Sequence, residues 1–78
     1  MNNSDDLSRI MDVIREIGGV GNLEPDQDFY AAGMTSVQAL PLLMELEARF
    51  AVTIPDERFI NARTPRQLGV VIDDVRSA

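Results

Sequence analysis

A glycine turn running into a serine at the head of an apolar helix is the one arrangement in this sequence that could carry chemistry. In the run Asp28-Phe29-Tyr30-Ala31-Ala32-Gly33-Met34-Thr35-Ser36-Val37-Gln38-Ala39-Leu40, Thr35 can cap the helix and Gln38 can answer it three residues later, the pattern of a capping box. Serine at such a position most often serves as the cap itself. With Thr35 in that role, Ser36 is left without a structural duty. A free hydroxyl at a helix N-terminus is a good place to attach a phosphate, because unpaired backbone N–H groups and the helix dipole both favour an anion there. Ser36 is therefore a candidate modification site.

Little else in the chain could react. It has no cysteine and no histidine, which removes disulfides, thiolate nucleophiles, the usual general base and the commonest metal ligand. Carboxylates, hydroxyls and arginines remain, so the protein is not expected to be an enzyme. The loop acids Asp26 and Asp28 lack the regular spacing of a calcium loop, and no metal site is expected. Thirteen acidic residues stand against seven basic ones, all arginine, for a net charge of −6. Such a balance argues against nucleic acid and anionic membrane surfaces as partners. The polar, acidic start Met1-Asn2-Asn3-Ser4-Asp5-Asp6 resembles neither a signal nor a transit peptide. Apolar runs are far too short for membrane insertion. A cytoplasmic monomer is expected.

The elements that must position Ser36 are helical. Leu7, Ile10, Met11, Ile14 and Ile17 are spaced as one helix face, with Ser4, Asp5 or Asp6 available to cap it and Gly18-Gly19 to end it. A long loop from about Gly18 to Met34 follows, with Leu23, Phe29 and Tyr30 as its expected anchors; loops of this length are usually packed down or functional. The second helix is predicted from about Ser36 to Phe50, with Ala39, Leu42, Leu43, Leu46 and Phe50 as its core stripe. Pro41 conflicts with a regular helix interior. Either the first turn and a half is kinked or 3₁₀-like, or the helix begins later. Pro55 to Asn61 suggests a short helix with Phe59 or Ile60 facing inward. Thr64-Pro65-Arg66-Gln67 is a second capping box with proline at the first helical position, opening a helix whose apolar face is Leu68, Val71, Ile72 and Val75. The expectation is one all-α domain over residues 1–78, a small four-helix bundle of three main helices and one short one, with a long loop between the first two.

The second helix carries more apolar surface than its core stripe needs. Val37, Leu40 and Met44 lie on a different face, so they either pack under the long loop or form a partner-binding patch beside Ser36. The patch reading is taken here, with Glu47 at its far end as a further contact. A small interaction adaptor docking partners through Val37, Leu40 and Met44 is the alternative function; it leaves the free serine unexplained.

In order, Asp28-Phe29, Gly33-Met34-Thr35-Ser36-Val37, Leu46-Glu47-Ala48-Arg49-Phe50, Ile54-Pro55 and Thr64-Pro65 resemble an acyl or peptidyl carrier protein over nearly the whole chain. The Gly-x-x-Ser turn is the most specific element. The resemblance implies that Ser36 bears a covalent 4′-phosphopantetheine arm, installed from coenzyme A by a phosphopantetheinyl transferase. The arm's thiol would hold an acyl or aminoacyl group as a thioester, loaded by an acyl- or amino acid-activating ligase and passed to a downstream transferase. Carriers of fatty acid synthesis usually have Asp before the serine and an acidic second helix. Here Thr35 takes that place, and no residue from Phe29 through Met44 is charged. The likeness is closer to carriers of peptide or polyketide assembly, or to free-standing carriers loaded with an amino acid. A free-standing protein with aminoacyl or secondary-metabolite cargo is thus expected, loaded with little sensitivity to salt.

Overall fold

The structure is a computed structural model describing residues 3–77, with side chains from residue 5 onward. Four helices follow one another: α1, Asn3–Gly18; α2, Ala39–Phe50; α3, Asp56–Asn61; and α4, Pro65–Ser77. A 3₁₀ turn over Ser36–Gln38 leads directly into α2, and no strand occurs among the described residues. Helix α1 lies against both α2 and α4, while α3 leans on α4.

The core follows the helical periodicities, although Leu7, Ala39 and Val75 of the predicted stripes are only partly buried. In α1 the deepest residues are Ile10, Val13 and Ile14, whereas Met11 and Ile17 are only partly buried; Val13 enters because the buried face is centred one step round from the predicted stripe. In α2, Leu42, Leu43, Leu46 and Phe50 are buried as expected. Phe59 of α3 faces in, and Leu68, Val71 and Ile72 of α4 complete the cluster. No helix among the described residues is long and apolar enough to cross a membrane.

Pro41 resolves into an ordinary feature. Because the α-helix proper begins at Ala39 rather than Ser36, Pro41 is its third residue, and the first N–H groups of a helix have no intrahelical acceptor to lose. The predicted start at Ser36 is corrected to a 3₁₀ turn. The expected caps of α1 are also revised. The helix is already under way at Asn3, so Asp5 and Asp6 sit inside its first turn, and the Ser4 side chain lies outside the described part. Asp6 is buried and paired with Arg76 at the end of α4. Arg9 and Arg76 both lie over the Phe50 ring, at 4.5 and 5.8 Å, so the start of α1 and the ends of α2 and α4 close on one aromatic ring.

Helix α2 stops at Ala51, which adopts the left-handed conformation (φ 55°, ψ 47°) and donates its N–H to the Glu47 carbonyl. For a residue with a Cβ that conformation costs about 1–2 kcal/mol. Ala51→Gly relieves this strain at the expense of a more flexible unfolded chain, and a net gain of about 0.5–1 kcal/mol is expected. Thermal unfolding should show a Tm raised by a few degrees, roughly 2–6 °C; an unchanged or lowered Tm would mean the strain is relieved otherwise.

Candidate functional site

The turn that presents Ser36 is built from the carboxylate of Asp28 onward. Asp28 Oδ1 accepts the N–H groups of Tyr30 and Ala31 at 2.9 and 3.2 Å, and its Oδ2 accepts Arg63 Nε–H at 2.7 Å. Three backbone bonds then wind the segment: Ala32 N–H to the Asp28 carbonyl, Gly33 N–H to Tyr30, and Met34 N–H to Phe29. Gly33 reverses the chain at φ 127°, a conformation open essentially to glycine alone. Phe29 and Met34 are both buried, so the two ends of this turn are nailed to the core.

Met34 has its slot because residue 18 has no side chain. A Cβ on Gly18 would lie 2.9 Å from Met34 Sδ and 3.0 Å from its Cγ. Gly19, at φ 67°, ends α1 by donating its N–H to the Arg15 carbonyl and lies beside the Gln38 side chain. The glycine corner of α1 is thus the floor under the serine turn.

Thr35 and Gln38 close the turn as the sequence suggests, with the weight on Gln38. Its Oε1 accepts Thr35 N–H at 2.8 Å and the Thr35 hydroxyl at 3.1 Å, while its own N–H donates to the Thr35 carbonyl at 3.1 Å. The Ser36 hydroxyl takes no part in these bonds, and the residue is exposed. Between the start of α2 and α3 runs a groove of about 250 Å³ lined by Ser36, Ala39, Leu40, Leu43, Asp56, Phe59 and Ile60.

The surface beside this serine is apolar. Val37, Leu40 and Met44 are 82%, 62% and 60% exposed, and Ile60, across the groove on α3, is 66% exposed. The alternative that the first three pack under the long loop is thereby excluded. Ile60 was half legible in the sequence, since only one of Phe59 and Ile60 could face in. Glu47 departs from the other expected contacts. It is partly buried, and its Oε2 accepts Ile54 N–H at 2.9 Å, which holds the connection from α2 to α3.

Charge near the serine comes from α3. Asp56 lines the groove with Ser36, and Glu57 follows it in the first turn of α3. Reading α2 alone misses both. All seven arginines are engaged with carboxylates: Arg9 and Arg76 with Asp6, Arg15 with Asp12, Arg49 with Glu16 and Glu45, Arg58 with Asp74, Arg63 with Asp28 and Arg66 with Asp26. The loop acids Asp26 and Asp28 are therefore internal ties, whereas Asp56 and Glu57 have no arginine partner among the described residues.

An exposed hydroxyl at the head of a helix, hydrogen-bonded to no carboxylate that could act as a base, suits a group that receives a modification. The chain belongs to the family described as phosphopantetheine attachment site, whose pattern matches residues 8–70. Among solved structures it is similar to the acetyl actinorhodin acyl carrier protein from Streptomyces coelicolor. The two share 26% identity at a TM-score of 0.65, over 100% of this chain and 95% of that one. No curated protein matches the chain. The protein is a phosphopantetheine carrier, and 4′-phosphopantetheine is its covalently attached group. Carriers of this kind are not catalysts, and they work with a phosphopantetheinyl transferase and with synthase enzymes.

Asp28 is held below the usual carboxylate range, chiefly by the Arg63 hydrogen bond and further by the Ala31 and Tyr30 amides, against some desolvation. A carboxylate whose folded-state pKa is depressed stabilises the fold above its ordinary value of about 3.8 and loses that contribution as pH falls through the folded-state value. Asp28→Asn should therefore melt below the wild type near neutrality, and the gap should hold down to about pH 5 and narrow only as the pH falls below about 3.8 and the wild-type side chain protonates. A gap that stays constant across this range would show that the charge of Asp28 is not what the turn uses.

Proposed function

We propose that Ser36 is the residue that receives the 4′-phosphopantetheine arm. The observation that carries this reading is the exposed Ser36 hydroxyl, left free while Thr35 and Gln38 close the turn around it. In the modification, the Ser36 oxygen forms a phosphodiester bond with the phosphopantetheinyl phosphorus of coenzyme A. The pyrophosphate bond breaks, and adenosine bisphosphate leaves. The proton of the hydroxyl passes to a base on the transferase. This chain contributes the hydroxyl and its placement.

The face formed by Val37, Leu40, Met44 and Ile60 is the surface on which the transferase, an acyl- or amino acid-activating ligase and a downstream transferase dock. An exposed apolar patch of this kind is typical of interaction sites. Asp56 and Glu57 at its edge favour partners with a basic rim, so the weak salt sensitivity expected from α2 alone gives way to a moderate one. Aminoacyl or secondary-metabolite cargo is favoured over bulk fatty acid synthesis. This is supported by the uncharged first half of α2 and by the likeness to a carrier named for actinorhodin.

Incubation with coenzyme A and a phosphopantetheinyl transferase, followed by intact mass measurement, should show one phosphopantetheine adduct on the wild type and none on Ser36→Ala, with the helical circular dichroism of the two alike. An adduct surviving on the mutant would move the attachment elsewhere. No adduct on either protein would favour the adaptor reading. Met44→Glu should slow loading by the cognate ligase while changing stability by no more than about 0.5 kcal/mol, as for a surface position. A large loss of stability would show Met44 to be core.

A further inference from the structure

We infer that Arg63, distant in sequence, is a positioning residue for Ser36, acting through Asp28; this rests on the carrier reading of Ser36. Two ties join the long loop to the corner that opens α4. In the first, Phe29 N–H donates to the Arg63 carbonyl at 2.9 Å and Arg63 Nε–H to Asp28 Oδ2 at 2.7 Å. In the second, Arg66 N–H donates to the Pro25 carbonyl at 3.0 Å and Arg66 Nε–H to Asp26 Oδ1 at 2.8 Å. Each thus pairs one backbone bond with an arginine–carboxylate contact, the second having a further, longer bond from Arg66 Nη2 to Asp26 Oδ2 at 3.4 Å.

What lies beyond the two ties differs. The first ends on the residue whose other oxygen gathers the Tyr30 and Ala31 amides, and from there the hydrogen-bonded turn runs to buried Met34, two residues before Ser36. The Arg63 guanidinium also lies over the Tyr30 ring at 4.7 Å. Arg63 is itself held, since its N–H donates to Gln67 Oε1 in the first turn of α4 at 2.7 Å. An unbroken set of contacts therefore leads from α4 through Arg63 and Asp28 to the serine turn. The second tie ends among residues that bond back on themselves, Glu24 N–H to Gln27 Oε1 and Gln27 N–H to the Glu24 carbonyl, and does not reach the turn.

Both arginines are more than half exposed, at 55% and 57%, and exposed ion pairs add little to stability. Their difference lies in what they hold still. A transferase that has docked on the apolar face needs the Ser36 oxygen in line with the phosphorus it attacks, and a small displacement lowers turnover without weakening docking.

Arg63→Gln and Arg66→Gln form a matched pair for the test, with coenzyme A and a broad-specificity phosphopantetheinyl transferase as reagents. Arg63→Gln should lower kcat for modification about tenfold while the KM for the carrier stays within about twofold, and Arg66→Gln should leave both near wild type. Arg63→Lys, which keeps the cation, should recover part of the loss. In nitrogen–proton correlation spectra, the Met34, Thr35 and Ser36 amides should shift in Arg63→Gln and stay in place in Arg66→Gln, the two variants melting alike. Equal kinetic effects of the two glutamine variants, or unmoved Met34 to Ser36 amides in Arg63→Gln, would overturn the inference. If the wild type itself accepted no adduct, the carrier reading of Ser36 would fall instead, and the amide shifts alone would decide whether Arg63 holds the turn.

Discussion

The connection between α1 and the 3₁₀ turn that opens α2 covers residues 19–35 and has no regular ladder in which to place its backbone amides, so the fold depends on how those groups find partners. A buried amide without an acceptor costs about as much as a lost hydrogen bond. Here the partners come from three directions. Arg15 at the end of α1 accepts from Gly19, Arg63 beyond α3 accepts from Phe29, and Asp28 accepts from within the loop. The same segment sends Val20, Leu23, Phe29 and Met34 into the core. In a domain this small they are a substantial part of the apolar area that is buried at all. The long connection is thus one wall of the core, and the serine stands where that wall meets α2.

The pattern of helices was readable because each has an apolar stripe at helical spacing and a recognisable start or stop. Thr35 with Gln38 and Thr64 with Gln67 behaved as boundary signals, the second with Gln67 N–H on the Thr64 hydroxyl at 3.1 Å. Ser36 stood out for a related reason: its neighbours had claimed the structural roles. What stayed hidden was set by contacts distant in sequence. Nothing near Arg63 indicates that it meets Asp28, and nothing near Asp56 indicates that α3 lies across a groove from Ser36. Pro41 was legible only as a conflict, because deciding between a late start and a tight first turn needs the backbone path. Val13 was missed because a shift of one position in the buried face is within the tolerance of any apolar stripe.

The site divides its work between a fixed part and an accommodating one. Phe29, Met34, Gly18 and the Thr35–Gln38 bonds fix the serine turn. The surface around it is made of aliphatic and thioether side chains that make no directional bonds. Such side chains can meet several partners in turn, since Met and Leu repack at little cost.

The pairing of every arginine with a carboxylate bears on how copies of this protein treat one another. The apolar face is the surface most inclined to stick to itself, and two copies meeting there would bring Asp56 and Glu57 of each into a shared, partly dehydrated seam. No arginine is left over to neutralise them, and like charges held together in this way are repulsive. Charge repulsion across such a seam would work against self-association although each molecule displays an open greasy face.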